Sequence, residues 1–164
     1  MNRLRVTYPL HYAMVINMEK ILKKKLKGGK FSNVPVTRSN TMRSIKGKGN
    51  KTTEAKFRMG LVRAGINGWQ MHNKKIIGKP DFYFPSLKLA VFIDGCFWHG
   101  CPQCGHIPRT NREYWQTKIQ RNKSRDLSVT RRLKYRGYKV LRFWEHSLKI
   151  GTNKCVMKLR TILT

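Results

Sequence analysis

Residues 81–106 read DFYFPSLKLAVFIDGCFWHGCPQCGH. The stretch 81–85 is a short strand candidate, and Pro85-Ser86 turns the chain before a second apolar run, 87–93. The continuous apolar end of that run predicts a buried central strand. Directly after it, three cysteines, two histidines and a Phe-Trp pair crowd into a loop. Cysteine and histidine clustered in this way more often bind metal than form the disulfide framework of a small secreted domain.

Working outward, Trp69–His72 is a further short strand candidate. Upstream of it, Thr53 can cap a helix that starts at Glu54 and ends near Gly65. Ala55, Met59 and Val62 recur there at helical spacing, with Phe57 and Leu61 alongside. Downstream, Asn111 can cap a long basic helix running to about Arg136 and stopped by Gly137. Residues 138–144 form another strand and 153–164 a closing helix. The expected fold class is α/β, a small mixed sheet flanked by helices.

The chain has 164 residues, enough for one domain with one core. Its charge is the outlier: 36 Lys and Arg against 7 Asp and Glu, a net +29. Such an excess repels itself in a compact fold and calls for a polyanionic partner. Nucleic acid is favoured over an anionic membrane surface, since no apolar run approaches the ~18 residues of a spanning helix. Residues 1–36 read as a basic extension; a solvated arm is the simple interpretation and a transit peptide the alternative. Residues 37–53, rich in small and basic side chains, suit an arm that orders on a phosphate backbone.

With so few carboxylates, each position is informative. Asp81 opens one strand, Asp94 ends the next, and Glu54 opens a helix. If the strands are neighbours, Asp81 approaches the strand end at Ile93-Asp94. A carboxylate and a backbone carbonyl there would hold Mg²⁺, which polarises a scissile phosphate. Taken singly, Asp81 is equally a strand-start carboxylate, and Glu54 a charge favoured by the helix dipole.

The segments TRSNTMRSI, GKPDFYF, VFIDGCFWHGCPQC, EYWQTKIQRNKSRD and FWEH follow one another over 37–149. In that order they resemble the very short patch repair (Vsr) endonucleases. The resemblance implies a PD-(D/E)XK nuclease fold, Mg²⁺-dependent strand nicking, a structural Zn²⁺, and action on double-stranded DNA at a T:G mismatch in DNA repair. It implies that Asp81 binds the metal with the carbonyl of Ile93, with Asp94 beside it. His99 would activate the attacking water, Glu54 would support the metal waters or that histidine, and Asp126 would orient His99. The alternative for His99 is a zinc ligand or an ordinary loop histidine.

For zinc, Cys96, Cys101, Cys104 and His146 supply the four N/S ligands of a closed site, with His106 competing for Cys104 or His146. Cys155 reads as a core thiol. The resemblance also implies that Phe97, Trp98 and Trp115 wedge beside the target base pair while Met42 enters from the other groove. Packing in the core is the alternative for Trp115. Arg43, Lys118, Arg121 and Arg125 are candidate phosphate contacts. The expected state is an intracellular monomer on DNA. Two other functions remain open at this point: a homing or mobile-element endonuclease with a longer site, which the extra basic arms suit, and a non-catalytic, ribosomal-type nucleic-acid-binding protein.

Overall fold

The computed structural model describes residues 53–163 continuously and the isolated positions 18, 22 and 37. The elements run α1 (Glu54–Arg63), β1 (Gln70–Met71), β2 (Phe82–Phe84), β3 (Leu89–Asp94), α2 (Arg112–Tyr135), β4 (Lys139–Trp144) and α3 (Glu145–Leu163), with a single 3₁₀ turn over Pro85–Leu87. The expected α/β class and the element order both hold. The four strands lie in the order β1-β2-β3-β4, the first two pairs antiparallel and β3–β4 parallel. A parallel neighbour requires a crossover, which the long α2 provides.

Strand alternation divides the core between the two faces of the sheet. Leu89 and Val91 point into the larger core with Phe82, Phe84, Leu141, Phe143 and residues of α1 and α3. Ala90 and Phe92 point the other way, onto Leu133 and Val129 of α2. Because β3 is covered on both faces, it reads as the near-continuous apolar run that the sequence displays.

Three local expectations need correction. In α1 the buried stripe is Phe57, Gly60 and Leu61, while Met59 and Val62 are exposed. The cause is α3. A Cβ on Gly60 would stand 2.9 Å from methyl groups of Thr152 and Val156, so the helices meet at the glycine and the apolar side chains beside it turn outward. The closing helical element begins at Glu145, and non-helical dihedrals at Gly151 divide it, so the helix expected over 153–164 is its second part and an unforeseen first part precedes it. Thr53 and Asn111 occupy the N-cap positions, but neither side chain makes a capping hydrogen bond. Their carbonyls accept the first helical N–H groups instead, from Phe57 at 3.0 Å and Trp115 at 3.1 Å. The proposed extension 1–36, the arm 37–53, Met42 and Arg43 lie outside the described residues, save those isolated positions and Thr53. Among the described residues no helix is long and apolar enough to cross a membrane.

Candidate active site and metal centre

The antiparallel register of β2 on β3, with Phe82 opposite Val91, brings the residue before β2 beside the end of β3. The N–H of Ile93 donates to Asp81 Oδ2 at 2.7 Å. On the other side, the N–H of His72 donates to the Asp81 carbonyl at 3.2 Å, extending the β1–β2 ladder by one rung. Glu54 reaches the same place from the first turn of α1, with its Oε2 3.2 Å from His72 Nε2. Glu54, His72 and Asp81 thus converge, one ligand atom from each lying within 4.8 Å of the others.

Asp81 is the electrostatically unusual member of this group. Burial, opposed by the Ile93 hydrogen bond and reinforced by Glu54, pushes the Asp81 carboxyl up to about 6. Among the described residues no lysine or arginine forms an ion pair with Asp81. In a chain of net +29, a carboxylate left without such a partner is conspicuous. A divalent cation fits the donor set, two hard carboxylates and a borderline imidazole nitrogen.

Asp94 belongs to a different group. As the last residue of β3 it projects on the α2 face, where Arg142 of β4 takes both its oxygens. Nε donates to Oδ2 at 2.7 Å and Nη2 to Oδ1 at 2.6 Å. Nη2 also lies 3.3 Å from Asp126 Oδ1, and the guanidinium stacks 4.7 Å from the centre of the Phe92 ring. Asp94, expected beside Asp81 as a further metal ligand, has both oxygens on the Arg142 fork and groups with His99 and Asp126, while its charge still acts on Asp81.

His99 joins this second group. Its Nδ1 lies 2.5 Å from Asp126 Oδ2 and 3.6 Å from Asp94 Oδ1. Against the effect of burial, the His99 hydrogen bond and the charges of His99, Arg142 and Arg125 hold Asp126 below the usual carboxylate range. An ionised carboxylate only accepts, so His99 Nδ1 carries the proton and Nε2 presents its lone pair when the ring is neutral. That is the tautomer a general base requires.

The Cys-rich loop closes on the start of α3. Cys96 and Cys104 Sγ each lie 3.3 Å from His146 Nδ1, and Cys101 Sγ lies 3.5 Å away. Metal–ligand bonds of ordinary zinc length, arranged tetrahedrally, would set such S···N edges at about 3.6 Å. Hydrogen bonding to Cys96 and the neighbouring Cys101 push the Cys104 thiol up to about 12, so the three sulfurs need a cation to ionise together. The residues therefore fit zinc. His106, the competing ligand, sits instead 5.7 Å from Phe97 ring to ring. Cys155 is buried in the main core. Glu145, which follows β4 directly, accepts the Cys96 N–H at 3.3 Å and pairs with Lys149 at 2.6 Å, bracing the loop from outside.

In the cysteine loop and at the start of α2, Phe97, Trp98 and Trp115 pack edge to face with centroids 5.0–5.9 Å apart. Asn122 of α2 donates to the Trp98 carbonyl at 2.8 Å, tying the loop to the long helix. All three aromatics are half-buried. Farther along α2, burial and the charges of Arg121 and Arg125 lower the Lys118 ammonium, as expected where three cations converge.

Sequence reasoning did not identify His72, Arg142, Asn122 or Glu145. Arg142 carries the plainest signal, an arginine between Leu141 and Phe143 inside an apolar strand, on the face opposite those two residues.

The sequence profile described as DNA mismatch endonuclease Vsr matches residues 32–104. The chain is 41% identical over 128 residues to the Type II nicking enzyme V.NmeDIP of Neisseria meningitidis serogroup C, covering 77% of this chain and 85% of that one. It is 34% identical to the Type II nicking enzyme V.XorIIP of Xanthomonas oryzae pv. oryzae, over 79% of this chain and 93% of that one. With the DNA mismatch endonuclease Vsr of Escherichia coli K12 the identity is 32%, over 69% and 72% of the two chains. On the strength of this likeness, and of a site that joins a cation-seeking carboxylate group to a carboxylate-held histidine, the chain belongs to the Vsr family of DNA endonucleases.

Proposed function

We propose that this endonuclease nicks one strand of double-stranded DNA beside a T:G mismatch, in a Mg²⁺-dependent reaction. The observation that carries the chemistry is the division of its acids. Asp94 and Asp126 share Arg142, whereas Asp81 has no such partner among the described residues and is pushed up to about 6. Asp81, the Ile93 carbonyl and Glu54 would hold Mg²⁺. When bound, such an ion polarises a phosphate oxygen and stabilises the leaving alkoxide.

The chain's own groups do the rest. His99 Nε2 takes the proton of the attacking water, while Asp126 fixes the ring and stabilises the imidazolium that forms. Asp94, with both oxygens on Arg142, positions the guanidinium and through it Asp126. Zinc on Cys96, Cys101, Cys104 and His146 holds the loop that carries Phe97, Trp98 and His99. Phe97, Trp98 and Trp115, half-buried and adjacent, form an apolar wedge for the mismatched step. Lys118, Arg121 and Arg125 take phosphates, and Met42 and Arg43 of the 37–53 arm reach the DNA from its other side. The enzyme acts as a monomer inside the cell.

Supercoiled plasmid and paired oligonucleotide duplexes, one matched and one carrying a single T:G, test the proposal. Wild type should nick the T:G duplex with Mg²⁺ and not with EDTA, and Asp81→Ala and His99→Ala should not nick. Equal inactivity of all three proteins would overturn the metal-nuclease assignment. A matched duplex cut as well as T:G would overturn the mismatch assignment alone.

A further inference from the structure

The Glu54–His72–Asp81 group contains one side chain for which the proposed reaction has no role. His72 Nε2 stands 3.2 Å from Glu54 Oε2, and the ring is only half-buried. Two further observations bear on it. The His72 backbone is left-handed at φ 49°, a conformation that glycine adopts freely and that other residues adopt at a cost. Its N–H is fixed on the Asp81 carbonyl, so the strained residue is locked to the strand that carries the carboxylate. A glycine would satisfy the turn and the hydrogen bond; an imidazole adds only its ring.

The 3.2 Å spacing is also what two neighbouring ligands of one ion show, since an octahedral cation with bonds near 2.1 Å sets adjacent donors about 3 Å apart. We propose that His72 is a nitrogen ligand of the cation held at Asp81. The site is then a mixed oxygen–nitrogen site that takes Mn²⁺ and similar first-row divalent ions more tightly than Mg²⁺ or Ca²⁺. Imidazole adds affinity for transition ions and little for the hard alkaline-earth ions, which prefer oxygen. His99 has Nδ1 on Asp126 and keeps Nε2 open, so a His99 variant is needed to tell the two imidazoles apart. The inference rests on the reading of Asp81 as the cation site.

Mn²⁺ is the probe, added to zinc-loaded, full-length protein without DNA and followed by electron spin echo and by calorimetry. The expected result is one Mn²⁺ per chain, lost in Asp81→Asn, with the modulation of a directly bound imidazole nitrogen. That modulation should vanish in His72→Gln and persist in His99→Ala. His72→Gln should weaken Mn²⁺ at least about tenfold and Mg²⁺ by less than about threefold. Asp81-dependent Mn²⁺ binding without nitrogen modulation in the wild type would overturn the role of His72 and leave the Asp81 site standing. Modulation that survives His72→Gln would overturn that role equally. Absence of any Asp81-dependent Mn²⁺ binding would overturn both. Should a variant fail to fold, a wild-type spectrum without nitrogen modulation would still overturn the role of His72.

Discussion

Asp81 and Arg142 are opposite solutions to one problem, a carboxylate withdrawn from water. Asp81 receives a backbone hydrogen bond and, among the described residues, no lysine or arginine, and its carboxyl rises to about 6. A folded-state value above the ordinary 3.8 means that the fold binds this proton more tightly than the unfolded chain does. Stability of the cation-free protein therefore falls as pH rises from about 4 to about 6, and a divalent cation restores it above that range. Cation affinity should drop about tenfold per pH unit below about 6, because the ion displaces the proton. Calorimetric titration at pH 5, 6 and 7 checks this, and a flat affinity across that span would refute it. Arg142 is the reverse case. Arg142→Leu strands Asp94 and Asp126 together and should destabilise the fold by about 3 kcal/mol in urea denaturation. Arg142→Lys, which keeps the charge without the fork, should recover part of that loss. The residues themselves were visible in the sequence, since Asp81, Asp94, His99 and Asp126 all stand out in so basic a chain. Their division into two groups was not. Asp94 follows Ile93 by a single position, and strand alternation sends the two side chains to opposite faces.

At the scale of elements, the buried strand β3, the parallel β4 and the long α2 were legible because each carries a simple signal: an apolar run, a second strand, a gap long enough for a crossover helix. The first part of α3 was hidden because Gly151 is a real boundary, its non-helical dihedrals dividing the element in two. That part matters, since it carries Glu145 and His146 straight out of β4 to the cysteine loop. The face of α1 was misjudged because apolar spacing alone identifies Met59 and Val62, whereas packing is decided by the close approach at Gly60. Gly60→Val should cost about 1–3 kcal/mol in thermal or urea unfolding by pushing α3 away from α1. Zinc content should stay at one per chain in the same variant, because the cysteine loop is anchored on Glu145 and His146, on the other side of the Gly151 kink from Thr152 and Val156. A Gly60→Val protein as stable as wild type would show that α1 and α3 are not packed this closely.

Over the described residues, five of the chain's seven acids gather into three groups. Glu54 and Asp81 make the cation group, Asp94 and Asp126 hold His99 through Arg142 and directly, and Glu145 braces the zinc loop. The remaining surface is left strongly positive, which suits a polyanion that must be drawn in without covering the one place where negative charge is concentrated. DNA affinity should fall steeply between 50 and 200 mM salt, roughly 10³-fold or more if six or more phosphates are contacted. Removing zinc with a chelator should abolish nicking by releasing the loop that carries His99, while Mn²⁺ binding at Asp81 survives, because β2, β3 and α1 do not depend on the loop. The division of labour between the two acid groups is tested most directly by single-turnover nicking of a T:G duplex against Mg²⁺ concentration, in wild type, Asp81→Asn and Asp94→Asn. The predicted result is a loss of at least about a hundredfold in Asp81→Asn at every Mg²⁺ concentration. Asp94→Asn should turn over more slowly yet keep its half-saturating Mg²⁺ within about threefold of wild type. The contradicting result is an Asp94→Asn enzyme whose Mg²⁺ requirement rises tenfold or more while Asp81→Asn responds to Mg²⁺ as the wild type does.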